Sequence, residues 1–206
     1  MSQIVIDLKK GARINLAKKA PTLKRVRLEL GWEPNTTSTG TTHDLDVTTF
    51  GLSDHRAADG TVTRTIRSQD YVVFYGNKQS LDGALVHSGD NLTGAGDKDV
   101  KEFVVVDLTT IAADIAELSV IVTIHDAIAR KQNFGQISKS FIRLVNDETN
   151  EVVAKSDLEE DFSVETALQF GSLYRNEDGE WVFKLIGTGY EQGLDAFVRI
   201  YGGTPT

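Results

Sequence analysis

The sequence contains no cysteine. That excludes disulfides, thiol nucleophiles, iron–sulfur clusters and cysteine-type zinc sites. Methionine occurs once, as Met1, so sulfur chemistry is absent from the body of the chain. No apolar run approaches the roughly 20 residues of a membrane span. Met1–Lys10 lacks the apolar stretch of a secretory signal, so a cytoplasmic location is expected. With no span, any contact with a membrane would be at its surface. What is present is ordinary for a folded chain: 40% hydrophobic and 25% charged residues, which argues against wholesale disorder. The 206 residues suit one domain. A chain of that size buries about 70% of its unfolded surface.

The 22 Lys and Arg against 30 Asp and Glu leave a formal charge of −8. The imbalance is uneven. Residues 1–31 hold eight basic side chains against Asp7 and Glu29, a local net of +6. These basic residues alternate with apolar ones and have no interleaved aromatics for base stacking. They are expected to neutralise the acidic remainder of the domain rather than bind nucleic acid.

Short strands dominate the pattern. Arg25–Leu30 alternates polar and apolar with period two, as a half-buried strand does. Ile4–Leu8, Arg13–Leu16, Tyr71–Tyr75, Phe103–Leu108, Leu118–Ile124, Ser140–Val145 and Val152–Lys155 are similar runs rich in Val, Ile and Phe. Asn146–Asn150 and Asn176–Gly179 read as hairpin loops. About ten strands at this spacing predict a mainly β fold, a β-sandwich of two packed sheets with a few short helices. Helices are predicted at Thr109–Glu117 and Gly193–Tyr201. Residues 33–42 read as a loop and 54–69 as a second polar stretch. One domain over residues 1–202 is expected, with a C-terminal tail at 203–206.

The informative chemistry is oxygen-rich. Residues two apart on a strand share a face, so Asp44 and Asp46 project together while Leu45 and Val47 face the core. Two like charges on one face call for a compensating cation, unless water screens them. Residues 89–102 add Asp90, Asn91, Asp97, Asp99 and Glu102 as oxygen donors, with Gly89, Gly94 and Gly96 freeing the backbone to turn. Such a set suits a hard divalent cation, Ca²⁺ more than Zn²⁺. A solvated acidic turn is the competing reading. The loop lacks the EF-hand pattern. Gly89 and Gly94 have phosphate-loop spacing, but Ala95 stands where Lys is required. No dinucleotide fingerprint or nucleophile elbow occurs. His43, His55, His87 and His125 lack metal-type spacing.

At these residues the sequence resembles the TerD family of tellurium-resistance and stress-response proteins. The matching runs are Leu30-Gly31-Trp32, His43-Asp44-Leu45-Asp46, Val73-Phe74-Tyr75-Gly76-Asn77 and His87-Ser88-Gly89-Asp90-Asn91-Leu92-Thr93-Gly94. They continue through Ile124-His125-Asp126-Ala127, Gln132-Asn133-Phe134-Gly135-Gln136, Phe141-Ile142-Arg143 and Glu165-Thr166-Ala167. Phe170-Gly171, Leu173-Tyr174-Arg175, Trp181, Phe183 and Gly187-x-Gly189-Tyr190 complete them. The resemblance implies a β-sandwich with two adjacent Ca²⁺ sites at one end, in cytoplasmic proteins of tellurite and stress resistance with no established catalytic activity. It implies Asp44, Asp46, Asn77, Asp90, Asn91, Asp97, Asp99 and Glu102 as ligands, with Asp126 as a further one, and protein partners in a resistance complex. The sequence departs from the family in its loop. Gly96-Asp97-Lys98-Asp99-Val100-Lys101-Glu102 is one residue longer than usual and carries two lysines, which would lower cation affinity. It leaves open which of Asp97 and Asp99 binds. A metal-free interaction module and a metal-assisted hydrolase are the alternatives. The second needs a positioned base that the sequence does not name.

Overall fold

The computed structural model describes residues 6–7, 10–34, 41–96, 99–137, 139–157 and 164–204. In chain order the elements are β1 (Ile6–Asp7), β2 (Arg13–Asn15), α1 (Leu16–Lys19), β3 (Arg25–Gly31), β4 (Leu45–Arg56), β5 (Val62–Ile66), β6 (Val72–Val73), β7 (Leu85–His87), β8 (Glu102–Asp107) and β9 (Ile115–Ile124). They continue as α2 (Ala127–Arg130), β10 (Phe141–Asn146), β11 (Val152–Asp157), β12 (Ala167–Arg175), β13 (Trp181–Tyr190) and α3 (Leu194–Ile200). Two sheets form. The first has the order β1-β11-β10-β3-β8-β7, and the second β2-β13-β12-β9-β4-β5, with β6 also paired to β4. The chain is mainly β with a few short helices, as its period-two runs predict.

The alternation seen in the sequence places the core. Val26, Leu28 and Leu30 of β3, Val104 and Val106 of β8, and Ile142 and Leu144 of β10 face Leu45 and Val47 of β4 and Leu118, Val120 and Val122 of β9 in one buried apolar cluster. A second cluster lies on the opposite face of β4 and β9, where Phe50, Leu52 and Ile121 meet Phe197 of α3. The second sheet is therefore covered on both sides. Helix α3 presents Leu194, Phe197, Val198 and Tyr201 as one stripe, and it ends as a glycine-terminated helix should. Gly202 has φ +74°, and Gly203 N–H donates to Val198 O at 2.7 Å. The Tyr201 hydroxyl bonds Ser119 Oγ at 2.8 Å and Gln169 Nε2 at 3.0 Å, and burial pushes its pKa up to about 12.

The outer face of the first sheet uses the basic excess of residues 1–31. Glu29, buried, accepts from Arg27 Nε at 2.6 Å and from Arg143 Nε. Asp147 pairs with Arg27 at 2.7 Å and Arg25 at 3.0 Å. Arg25 and Arg27 thus neutralise acidic side chains of the same domain.

Four expectations change. The strand expected at Tyr71–Tyr75 is only Val72–Val73, because Gln69–Tyr71 forms a 3₁₀ turn and Phe74 bridges back to Asn77. Thr109–Glu117 is not a helix. Asp107 Oδ1 accepts the Thr109 N–H at 2.9 Å and its hydroxyl at 2.6 Å, Asp82 Oδ2 accepts the Ala112 N–H at 2.8 Å, and β9 begins at Ile115. Pairing β9 between β4 and β12 buries Ile115 and Leu118 completely, which outweighs local helix propensity. The polar stretch 54–69 is in part a hairpin, the end of β4 paired with β5. The run Arg13–Leu16 stops at Asn15, whose Oδ1 accepts the Lys18 N–H at 3.0 Å and starts α1. Of other expected segments, Ile4, Val5, Leu8, residues 35–40 and 205–206 lie outside the described residues.

Gly171 sits at a register shift of β12, where an added Cβ would lie 2.6 Å from Lys184 O and 2.9 Å from the Phe183 ring. Gly171→Ala is expected to cost about 1–3 kcal/mol by overpacking, read as a lower midpoint in denaturant unfolding.

Candidate metal centre

The carboxylates meet where the two sheets come together at one end. Strand β4 pairs with β9 along Leu45–Ser53, but its other edge meets β6 only at Thr49 and Phe50 and β5 from Leu52 on. At Val47 two side chains from the first sheet take the place of a strand. Glu102 Oε2 accepts the Val47 N–H at 3.1 Å, and His87 Nε2 lies 3.2 Å from Val47 O. Gly89 N–H donates to His87 Nδ1 at 3.0 Å, which places the proton on Nε2, where it is donated to Val47. The other oxygen of Glu102, Oε1, accepts the Asn91 N–H at 3.0 Å. One fully buried carboxylate therefore ties β4 to the glycine-rich loop.

Asp44 and Asp46 stand on either side of Leu45 and are buried, 2% and 5% exposed, whereas Asp90 is exposed. One oxygen from each of Asp44, Asp46 and Asp90 lies within 4.8 Å of the others. The basic side chains nearby are not in close contact: Arg130 Nη1 is 3.6 Å from Asp44 Oδ2, and His125 Nδ1 is 3.9 Å from Asp46 Oδ2. Asp44 Oδ1 is buried without a hydrogen-bond partner. Burial pushes the Asp46 carboxyl up to about 8, reinforced by Glu102, Asp44 and Asp90. Burial and then Asp90 push Asp44 up to about 6, with His125 and Arg130 opposing.

The other residues of the expected set are placed differently. Asn91 serves its own loop, with Nδ2 donating to Ala95 O at 3.2 Å and Oδ1 accepting the Thr93 N–H at 3.4 Å. Asn77 Nδ2 donates to Val72 O at 2.9 Å, closing the turn after β6. Asp99 is exposed and shares an open groove with Asp90 and Lys101. Asp126 is largely exposed, with a left-handed φ of +51° and Oδ2 3.6 Å from His125 Nε2. Asp97 lies outside the described residues. Sequence reasoning missed the bracketing role of His87 and the approach of Arg130, which has no local signal.

The loop rests on Trp32. Gly94 has φ +66°, and a Cβ there would lie 2.3 Å from Trp32 Nε1, so both its conformation and its contact require glycine. Lys101 Nζ donates to Gly96 O at 2.8 Å, so this lysine of the lengthened loop closes the loop on itself.

The TerD domain model matches residues 4–201. The chain belongs to the TerD family. General stress protein 16U of Bacillus subtilis (strain 168) is 45% identical over 199 residues, covering 97% of this chain and 98% of that protein. Tellurium resistance protein TerD of Serratia marcescens is 44% identical over 197 residues, covering 96% and 97%. A solved structure of a homologue of telluride resistance protein (TerD) from Streptomyces coelicolor A3(2) superposes with a TM-score of 0.67 at 24% identity, covering 89% of this chain and 99% of that one. It shares the TerD fold.

Asp44 and Asp46 have raised folded values against about 3.9 for an unfolded Asp. A raised value contributes stability that is fully present below the unfolded pKa and is lost as pH rises through the folded one. The melting temperature of chelator-treated protein is therefore expected to fall between pH 5 and pH 9, by about 2–4 °C per kcal/mol lost. Asp46→Asn should flatten that fall.

Proposed function

We propose that this TerD-family chain is a non-catalytic calcium-binding protein of a tellurite and stress-resistance system, in which the ion orders the acidic loop and so presents a surface to a partner. The observation that carries this reading is the orphaned, buried Asp44 Oδ1 beside Asp46 and Asp90, with no cation closer than 3.6 Å to the two buried aspartates among the described residues. Burial and the neighbouring carboxylates keep Asp46 protonated at neutral pH without an ion, and a hard divalent ion that displaces the proton lets the buried pair ionise together. The donors are all oxygens and carry several formal charges, which suits Ca²⁺ more than Zn²⁺.

The residues divide the work. Asp44, Asp46 and Asp90 supply direct oxygens. Glu102, with both oxygens already taken by Val47 and Asn91, holds the loop against β4 and adds negative potential beneath the site. Asp99, in the groove it shares with Asp90, and Asp126, beside His125, are exposed carboxylates that would serve a second ion. Asn77 and Asn91 contribute by shaping their loops. The names of the relatives, a general stress protein and a tellurium resistance protein, support the physiological setting. They name no reaction.

Calorimetric titration of chelator-stripped protein with Ca²⁺ tests the reading. At a hundredfold excess over Kd, binding to the folded state alone adds about 2.7 kcal/mol, a rise of about 5–10 °C in melting temperature. Asp44→Asn with Asp46→Asn should keep the fold and remove most of the calcium heat. If saturating Ca²⁺ moves the melting curve no further than Mg²⁺ does, the proposal fails.

A further inference from the structure

The end of the sandwich that holds the carboxylates also leaves two large aliphatic side chains in water. Leu92 is 60% exposed and Ile128 is 76% exposed. Each follows, by two residues, a carboxylate of this end: Asp90 and Leu92 in the glycine-rich loop, Asp126 and Ile128 at the start of α2. Neither side chain belongs to either apolar cluster of the fold. The two loops converge on the cluster from different strands. Asp90 reaches Asp44 and Asp46, while His125 and Arg130 approach the same two residues from the segment that carries Ile128.

Basic side chains surround them. Lys78 Nζ lies 3.5 Å from the position of a Cβ on Gly89, Lys101 Nζ is bound to Gly96 O, Arg130 faces Asp44, and Lys131 is exposed at the C-terminus of α2. Among the described residues these four cations stand against six carboxylates, Asp44, Asp46, Asp90, Asp99, Glu102 and Asp126. The face is therefore net negative without an ion. One divalent ion cancels the difference and two reverse it. Calcium takes six to eight oxygens, so an ion held by three carboxylates retains positions for outside donors. Phosphate oxygens are hard donors of that kind.

We propose that the loops at 88–96 and 125–131 form a calcium-dependent docking surface for an anionic phospholipid bilayer. This rests on the cation reading above and names the partner of that same site. Headgroup phosphates complete the coordination of the ion, Lys78 and Lys131 face the anionic surface, and Leu92 and Ile128 enter the boundary between headgroups and acyl chains. A bilayer requires only that such side chains protrude beside a charge it can meet. A protein partner would draw its affinity from a packed central cluster, and these two side chains stand on separate loops.

The test is sedimentation of the full chain with vesicles, paired with calcium calorimetry on the same preparation. Ca²⁺ is expected to raise binding to phosphatidylcholine–phosphatidylglycerol vesicles by about tenfold or more, to leave pure phosphatidylcholine vesicles unbound, and to act less as salt is added. Leu92→Ser with Ile128→Ser should reduce vesicle binding by about tenfold with the calcium heat unchanged. Lys78→Glu with Lys131→Glu should weaken binding to anionic vesicles alone. Calcium heat without vesicle binding would overturn the lipid surface, leave the cation site standing and assign the surface to a protein partner. Vesicle binding by the serine variant equal to that of the parent would also overturn it. An absence of calcium heat would remove both readings together.

Discussion

Burial of like charge at the junction of two sheets is the constraint on which the functional end depends. Among the described residues no strand lies beside β4 at Val47, and backbone polar groups in that position must be satisfied. Glu102 and His87 satisfy them from the opposite sheet. The same carboxylate that splices the sheets thereby places a negative charge beneath Asp44 and Asp46. An apolar residue at 102 would leave two backbone N–H groups without acceptors. A neutral amide could accept only one of those bonds through its oxygen. The structural need for a carboxylate and the electrostatic frustration of the site are one and the same choice of residue.

The two sheets are finished differently on their outer faces. The second sheet is sealed by α3, with Phe197 packed edge-on to Tyr190 and Tyr201 hydrogen-bonded to Ser119 and Gln169. The first sheet is cross-linked by charge, from Asp147 through Arg27 and Glu29 to Arg143, with Arg27 over Phe103 and Arg143 over Phe141. Arg25 and Arg27 of the basic N-terminal segment are thereby absorbed into the fold.

Much of this was legible from the chain. Period-two runs located most strands because the core side of each strand is so completely apolar, as in Val26, Leu28 and Leu30. The glycine-terminated stripe of α3 was readable for the same reason. Thr109–Glu117 misled because its helix propensity is local, whereas its structure is decided by Asp82 and Asp107 and by the pairing of β9 with β4 and β12. The Asp44 and Asp46 pair was visible as a spacing, but its burial was not. That burial depends on Arg130, His125 and the loop held by Glu102, all distant in sequence. Asn77 and Asn91 matched a motif, yet the structure gives their amide nitrogens to neighbouring carbonyls.

The contact between Gly94 and Trp32 gives the molecule an internal optical gauge. With no side chain between the loop and the indole, displacement of residues 88–96 alters the surroundings of Trp32 Nε1, which is buried and has no hydrogen-bond partner. The other tryptophan, Trp181, begins β13, whose far end at Tyr190 lies in the row of Asp46, Thr123 and Ala167. Nine residues of strand place it about 30 Å from that row. Emission from the chain thus combines one chromophore in contact with the loop and one remote from it, so the loop's state is open to observation in unlabelled protein.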